Sequence, residues 1–246
     1  MLRPFWNKIF KLNGYLGLGL VLLFGIPRFI IVLEANITRN YRPLSIVFIC
    51  MCIVPFLLLS REGRYKIGLK KPGNYLWILY SFLIGVGTCA IMYAVAELLF
   101  GHSLSNWFLY ISRSYAISGI TLNDSQKLVY FIIYAISSMT FSPIGEELFY
   151  RGIVHACFAA NRSERKASVL DSLAFGLTHL AHFGIVYSAG AWSFLFIPAV
   201  IWVTGMFLAS RLFFLCKQKT QSILGAIICH AGFNITMIYF IFYHIL

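Results

Sequence analysis

Seven apolar stretches, at residues 15–33, 43–59, 75–100, 128–160, 168–183, 192–214 and 223–246, take up most of this 246-residue chain. Crossing about 30 Å of hydrocarbon takes roughly 20 helical residues, and these stretches lie close to that length. A segment in lipid must satisfy its own backbone N–H and C=O groups, so each stretch is expected to be a helix. Only 11% of the residues are charged, far below the roughly 25% of soluble domains. The expected fold is therefore all-α, a polytopic membrane bundle of about seven to eight transmembrane helices around a buried polar cavity. It is read as one integral-membrane domain, 1–246, with spanning helices in 1–125 and the chemistry in 126–246. Connections are short, 104–127 being the longest, and no repeat period, low-complexity tract or inverted symmetry is visible.

The net charge of +12 does not indicate nucleic acid, because the basic residues follow the membrane. Counting seven passes from a cytoplasmic N-terminus, 14 basic residues fall on the inner side and 4 on the outer, the asymmetry of the positive-inside rule. The inner group runs from Arg3, Lys8 and Lys11 through Arg61, Arg64, Lys66, Lys70 and Lys71 to Arg162, Arg165, Lys166, Arg211, Lys217 and Lys219. The outer group is Arg39, Arg42, Arg113 and Lys127. Arg28 and Arg151 are left inside spans. The first apolar run follows basic residues without an evident cleavage site, which reads as a retained anchor. The six cysteines lie mostly in apolar context, and Cys50 with Cys52 is too close for ordinary zinc-site spacing.

Ionisable groups inside such segments are costly and mark function. Glu146, Glu147 and Arg151 occur together in the run from Ser142 to Gly152, His179 follows Phe175 by four residues, and Asn234 follows His230 by four. Ser142 and Pro143 look like a helix start, whose dipole would favour ionised acids in the first turn. Glu147 and Arg151, at i and i+4 with the acid first, can pair along one face. Glu146 points elsewhere and is left available for chemistry. At 1.5 Å per residue from the inner ends of their helices, His230 lies roughly 12 Å deep, His179 roughly 16 Å, Asn234 roughly 18 Å and Glu146 roughly 21 Å. This slab holds only if 128–160 is a single pass, kinked at Pro143 rather than split in two. The cavity so formed is expected to open toward the cytoplasm. Other polar residues receive structural readings: His182 at the membrane surface, His155 on the far side of its helix, Asp171 at a cap or interface, Glu34, Glu97 and His102 near span ends, and Arg28 snorkelling.

The three motifs, Glu146-Glu147-x-x-x-Arg151, Phe175-x-x-x-His179 and His230-x-x-x-Asn234, resemble in order and separation those of the CAAX protease and bacteriocin-processing (CPBP, or Abi) family, which includes the CAAX prenyl endopeptidases. The resemblance covers 143–234. It implies an intramembrane endopeptidase in which Glu146 activates water with help from His179, His230 and Asn234 stabilise the oxyanion, and Glu147 and Arg151 hold the helix in register. It implies a metal-free glutamate mechanism, with no cofactor. The metalloprotease label also given to the family keeps zinc open, with Glu146, His179 and His230 as ligands. Implied partners are a peptide or lipidated protein substrate and membrane lipid, with no nucleic acid. The implied setting is a cell membrane, with a bacterial origin and a small secreted peptide favoured by the compact chain. Two readings from other classes stand beside this one. The first is a non-catalytic bacteriocin immunity or scaffold protein of the same fold. The second is a proton-coupled transporter, for which paired broken helices in two related halves would be expected.

Overall fold

A computed structural model describes residues 1–115 and 122–246. Eleven α-helices are described: α1 (Pro4–Ile9), α2 (Gly14–Thr38), α3 (Arg42–Leu58), α4 (Arg61–Lys66), α5 (Leu76–Phe100), α6 (Trp107–Ser112), α7 (Asp124–Glu147), α8 (His155–Ala159), α9 (Glu164–Thr178), α10 (Phe196–Thr220) and α11 (Ile223–Phe240). A π-helical stretch, Leu148–Val154, joins α7 to α8, and a second, Ile241–Ile245, extends α11. Part of the long 104–127 connection lies outside the described residues.

Among the described residues, five helical segments are long and apolar enough to cross a membrane: α2, α5, the continuous run Asp124–Ala159, α10 and Ile223–Ile245. The chain is a multi-pass helical membrane protein, with α3 as a shorter apolar helix. The run 128–160 is a single element. Its irregularity follows Pro143 rather than coinciding with it, at the π-helical turns, where i→i+5 bonding adds a residue to the turn. The expected span 168–183 is not one. α9 ends at Thr178, a 3-10 turn takes in His179–Ala181, and Gly184 at φ +116° reverses the chain into an antiparallel hairpin of β1 (Ile185–Ser188) and β2 (Ala191–Phe194). Ala189 and Gly190 make the two-residue turn, both with positive φ, which matches the twist of paired strands. The span placed at 192–214 accordingly starts later and runs as α10.

Hydrogen bonds between loops sort the molecule into two ends. At one end Arg3 N donates to Leu58 O (2.9 Å), Ile223 N to Gly68 O (2.8 Å) and Gly73 N to Thr220 O (2.9 Å). At the other, Arg39 Nη1 donates to Arg113 O (2.9 Å) and Tyr187 N to Tyr110 Oη (2.9 Å). The first end gathers the N-terminus and the loops that carry the larger basic group.

Without a hydrophobic force between helices in lipid, association depends on close packing, which small residues permit. α5 and α11 cross in this way. A Cβ on Gly85 would lie 2.8 Å from Phe233 N and closer still to Cys229 O, and one on Gly232 would lie 2.5 Å from Phe82 O. Both obstacles are backbone and cannot rotate aside. Gly85→Val should therefore cost at least the roughly 1–3 kcal/mol of an overpacked core. It should appear as a lower midpoint in thermal unfolding of detergent-solubilised protein, while Gly87→Val, which meets nothing within 4 Å, should leave the midpoint unchanged.

Candidate active site

α7 does not start at Ser142. Its N-cap is Asn123, whose Oδ1 accepts from Gln126 N (2.9 Å) while Gln126 Oε1 accepts from Asn123 N (3.1 Å), a complete capping box. Glu146 and Glu147 therefore sit at the far end of α7, and the helix dipole does not favour their charge. Guanidinium groups do so instead. Ser142, expected as a cap, donates its hydroxyl to Glu146 Oε2 (3.0 Å).

Glu147 and Arg151 are both fully buried and pair across 3.1 Å, from Nε to Oε2, as their i, i+4 spacing predicts. The Arg151 guanidinium also lies over the Phe175 ring at 4.3 Å and near that of Phe213 at 5.3 Å, aromatic faces that favour a cation. The other Glu147 oxygen, Oε1, faces His230 Nδ1 at 2.9 Å. This fixes Nδ1 as the protonated nitrogen and turns Nε2 toward Glu146, whose Oε2 lies 3.7 Å away. Phe213 stacks on the imidazole with 4.7 Å between centroids. Glu147 thus orients a histidine in addition to holding helix register.

The sequence missed Arg28. It is 1% exposed, and its Nη2 lies 2.5 Å from Glu146 Oε1. The contact is an ion pair rather than an aligned hydrogen bond, since Oε1 has no hydrogen-bond partner. Arg28 Nη1 donates to Thr178 Oγ1 (2.9 Å), and Nη2 lies 3.4 Å from His179 Nε2 and 3.5 Å from His182 Nε2. His179 Nδ1 donates to Phe175 O (2.8 Å), so its Nε2 is free to accept from the guanidinium. The signal was there, a charged residue inside an apolar run, fourteen residues from one end of α2 and ten from the other, but its resolution rests on how α2 packs against α9.

The polar residues thus form one chain of contacts, from Arg151 through Glu147, His230, Glu146 and Arg28 to His179. Glu146 and His179 meet only through Arg28. Asn234 stands apart, with Nδ2 donating to Ser138 O (2.8 Å), but shares the same cavity. That cavity, about 330 Å³, is lined by Arg28, His179, His182, His230 and Asn234 together with apolar residues such as Phe48, Phe233 and Met237. Its direction differs from the expected one relative to the basic-rich end. Tyr41, Ile111, Ser114 and Tyr115 line it, so it extends toward the end with few basic residues. It reaches the surface between α3 and α7, where Ser45, Ser137 and Phe141 are exposed.

Two other expectations also change. His182 faces this cavity rather than the membrane surface. Asp171 is neither cap nor interfacial: fully buried in α9, its Oδ2 lies 2.6 Å from His155 Nδ1, and His155 Nε2 contacts Glu164 Oε2 at 2.8 Å. His155 keeps its structural reading. For zinc, the proposed ligands Glu146, His179 and His230 form no metal-binding group among the described residues, and the Arg28 guanidinium lies between Glu146 and His179. A cation already stands where a bridging metal would be, so the residues do not fit one in this arrangement.

Residues 128–236 match the family model described as type II CAAX prenyl endopeptidase Rce1-like. The matched segment, somewhat less than half of the chain, is similar to the CAAX protease family. No curated protein and no solved structure matches the chain.

Breaking a buried ion pair by removing one partner leaves an uncompensated charge and costs about 3–5 kcal/mol. Glu147→Gln strands Arg151 in this way and should lower the unfolding midpoint in detergent more than the exposed Glu62→Gln, which loses only a surface pair with Lys66. Equal midpoints for the two variants would show that Arg151 does not depend on Glu147.

Proposed function

We propose that this chain, whose residues 128–236 match the Rce1-like family model, is an intramembrane endopeptidase acting on a membrane-associated or small secreted peptide. The observation that supports this most directly is the buried Glu146 carboxylate, 3.7 Å from an imidazole whose orientation a second carboxylate fixes. Peptide hydrolysis needs a base beside the attacking water and donors aimed at the charge that develops on the carbonyl oxygen. Glu146 is the base. His230, held by Glu147, lies next to it, so it rather than His179 is the nearer partner for the water. The Asn234 amide carries two N–H groups and Ser138 engages one, which leaves the other for the oxyanion.

The 14 basic residues at one end favour that end as cytoplasmic. On that orientation the cavity opens in the outer half of the bilayer, which suits a peptide on its way out of the cell. The cleft between α3 and α7 gives an apolar or lipid-bearing segment a route in from the side.

A second reading draws on the Arg28–Glu146 pair, which neutralises the candidate base: a peptide-binding immunity or scaffold protein of the same fold. Mass spectrometry of small peptides from cells carrying the wild-type chain or Glu146→Ala separates the two. The endopeptidase reading expects a precursor to accumulate and its product to vanish in the variant. Identical peptide profiles, with any protective phenotype retained by Glu146→Ala, would favour the binding protein. On purified protein, Glu146→Gln should lower kcat by the roughly 10²–10⁴-fold that a general base contributes.

A further inference from the structure

We infer that Arg28 is a further catalytic residue of the endopeptidase proposed above, donating to the scissile carbonyl oxygen as it gains charge. The inference rests on that reading of the site. α2 lies outside the matched segment 128–236, yet it sends a guanidinium to the centre of the polar chain, against Glu146, Thr178, His179 and His182. Arg28 lines the cavity, and its Nε is buried with no partner. A guanidinium has five N–H donors in a rigid fork, so this one holds Glu146 while keeping a donor for a second oxygen. Fixed donors in a largely apolar cavity are worth more than in solution, because they do not reorganise during the reaction.

In the step proposed, the water oxygen bonds to the carbonyl carbon and one water proton passes to Glu146. The C=O π pair moves onto the oxygen, where Arg28 and Asn234 receive it by hydrogen bonding. Collapse reforms C=O and breaks the C–N bond, and the departing nitrogen takes the proton from Glu146. Arg28 keeps its own protons throughout.

The alternative use of such a cation is to anchor the C-terminal carboxylate of the substrate. Distance disfavours it. The guanidinium touches Glu146, and one extended residue spans only about 3.3–3.6 Å. A carboxylate held there would belong to the residue next to the cut, which suits removal of single terminal residues and not an internal cleavage.

The test is steady-state kinetics in lipid nanodiscs on the peptide that differs between wild-type and Glu146→Ala cells, using wild type, Arg28→Lys, Arg28→Gln and Arg28→Ala, each checked for monodispersity and thermal unfolding. Arg28→Gln is expected to lose about 10²–10³-fold in kcat, the effect of removing one oxyanion donor, with KM changed less than threefold. Arg28→Lys should retain more activity than Arg28→Gln, and added guanidinium, but not an equal concentration of sodium, should partly restore kcat to Arg28→Ala. Unchanged kcat in folded Arg28→Gln would overturn the inference and leave the endopeptidase reading intact. So would a rise in KM alone that disappears with a C-terminally amidated peptide, which would make Arg28 a carboxylate anchor. Absence of Glu146-dependent cleavage by wild type would overturn both. If Arg28→Gln and Arg28→Ala do not fold, Arg28→Lys decides, since it keeps the charge and loses the fork: full kcat there would overturn the inference.

Discussion

Charge neutralisation inside a medium that solvates no charge governs this structure. Glu146 and Glu147 are fully buried beside Arg28 and Arg151, which are buried as deeply. Moving either acid out of water alone would cost many kcal/mol, so each is tolerable only where a guanidinium meets it. Much of the architecture serves that meeting. The π-helical turns follow the acids directly and carry Arg151, and Gly145 lets α7 approach the backbone of Phe48 in α3 beside the site. The two pairs are not independent, because His230 lies between them with one nitrogen toward each acid.

This coupling divides the labour within the adjacent acids. Glu147 is bound on both oxygens, by Arg151 and by His230, and is fixed. Glu146 has one oxygen against Arg28 and the other near Ser142 and His230, so its second oxygen faces the groups with which it would share a water. Aromatic rings complete the frame. Phe175 and Phe213 each touch both a guanidinium and an imidazole, which holds these polar side chains in place without adding further charge.

Much of this was legible because polar residues in apolar runs are conspicuous. Glu146, Glu147, Arg151, His179, His230 and Asn234 all carry that signal, and 1.5 Å per residue puts four of them at a common depth; the structure joins the first five in one chain of contacts and leaves Asn234 apart in the same cavity. What sequence could not provide was direction. Arg28 shows the same signal, but a lone basic residue in a span has two resolutions, snorkelling or burial, and only the packing of α2 against α9 decides between them. His182 was misplaced for a related reason: α9 stops at Thr178, and the 3-10 turn after it rotates the next residues away from the face an ideal helix would give them. The hairpin after Gly184 was hidden because Ile185–Ser188 is as apolar as a helix end, and Ala189 is an uncommon residue at positive φ. The side on which the cavity opens depends on where α3 and α7 diverge, which no single segment encodes.

The cleft between α3 and α7 also sets how a reactant is counted. A molecule entering there arrives by diffusion in the plane of the bilayer, so its chance of occupying the cavity follows its mole fraction among the lipids rather than its bulk concentration. On the endopeptidase reading, a peptide's greasiness would then govern its apparent affinity before any side chain of the cavity had touched it.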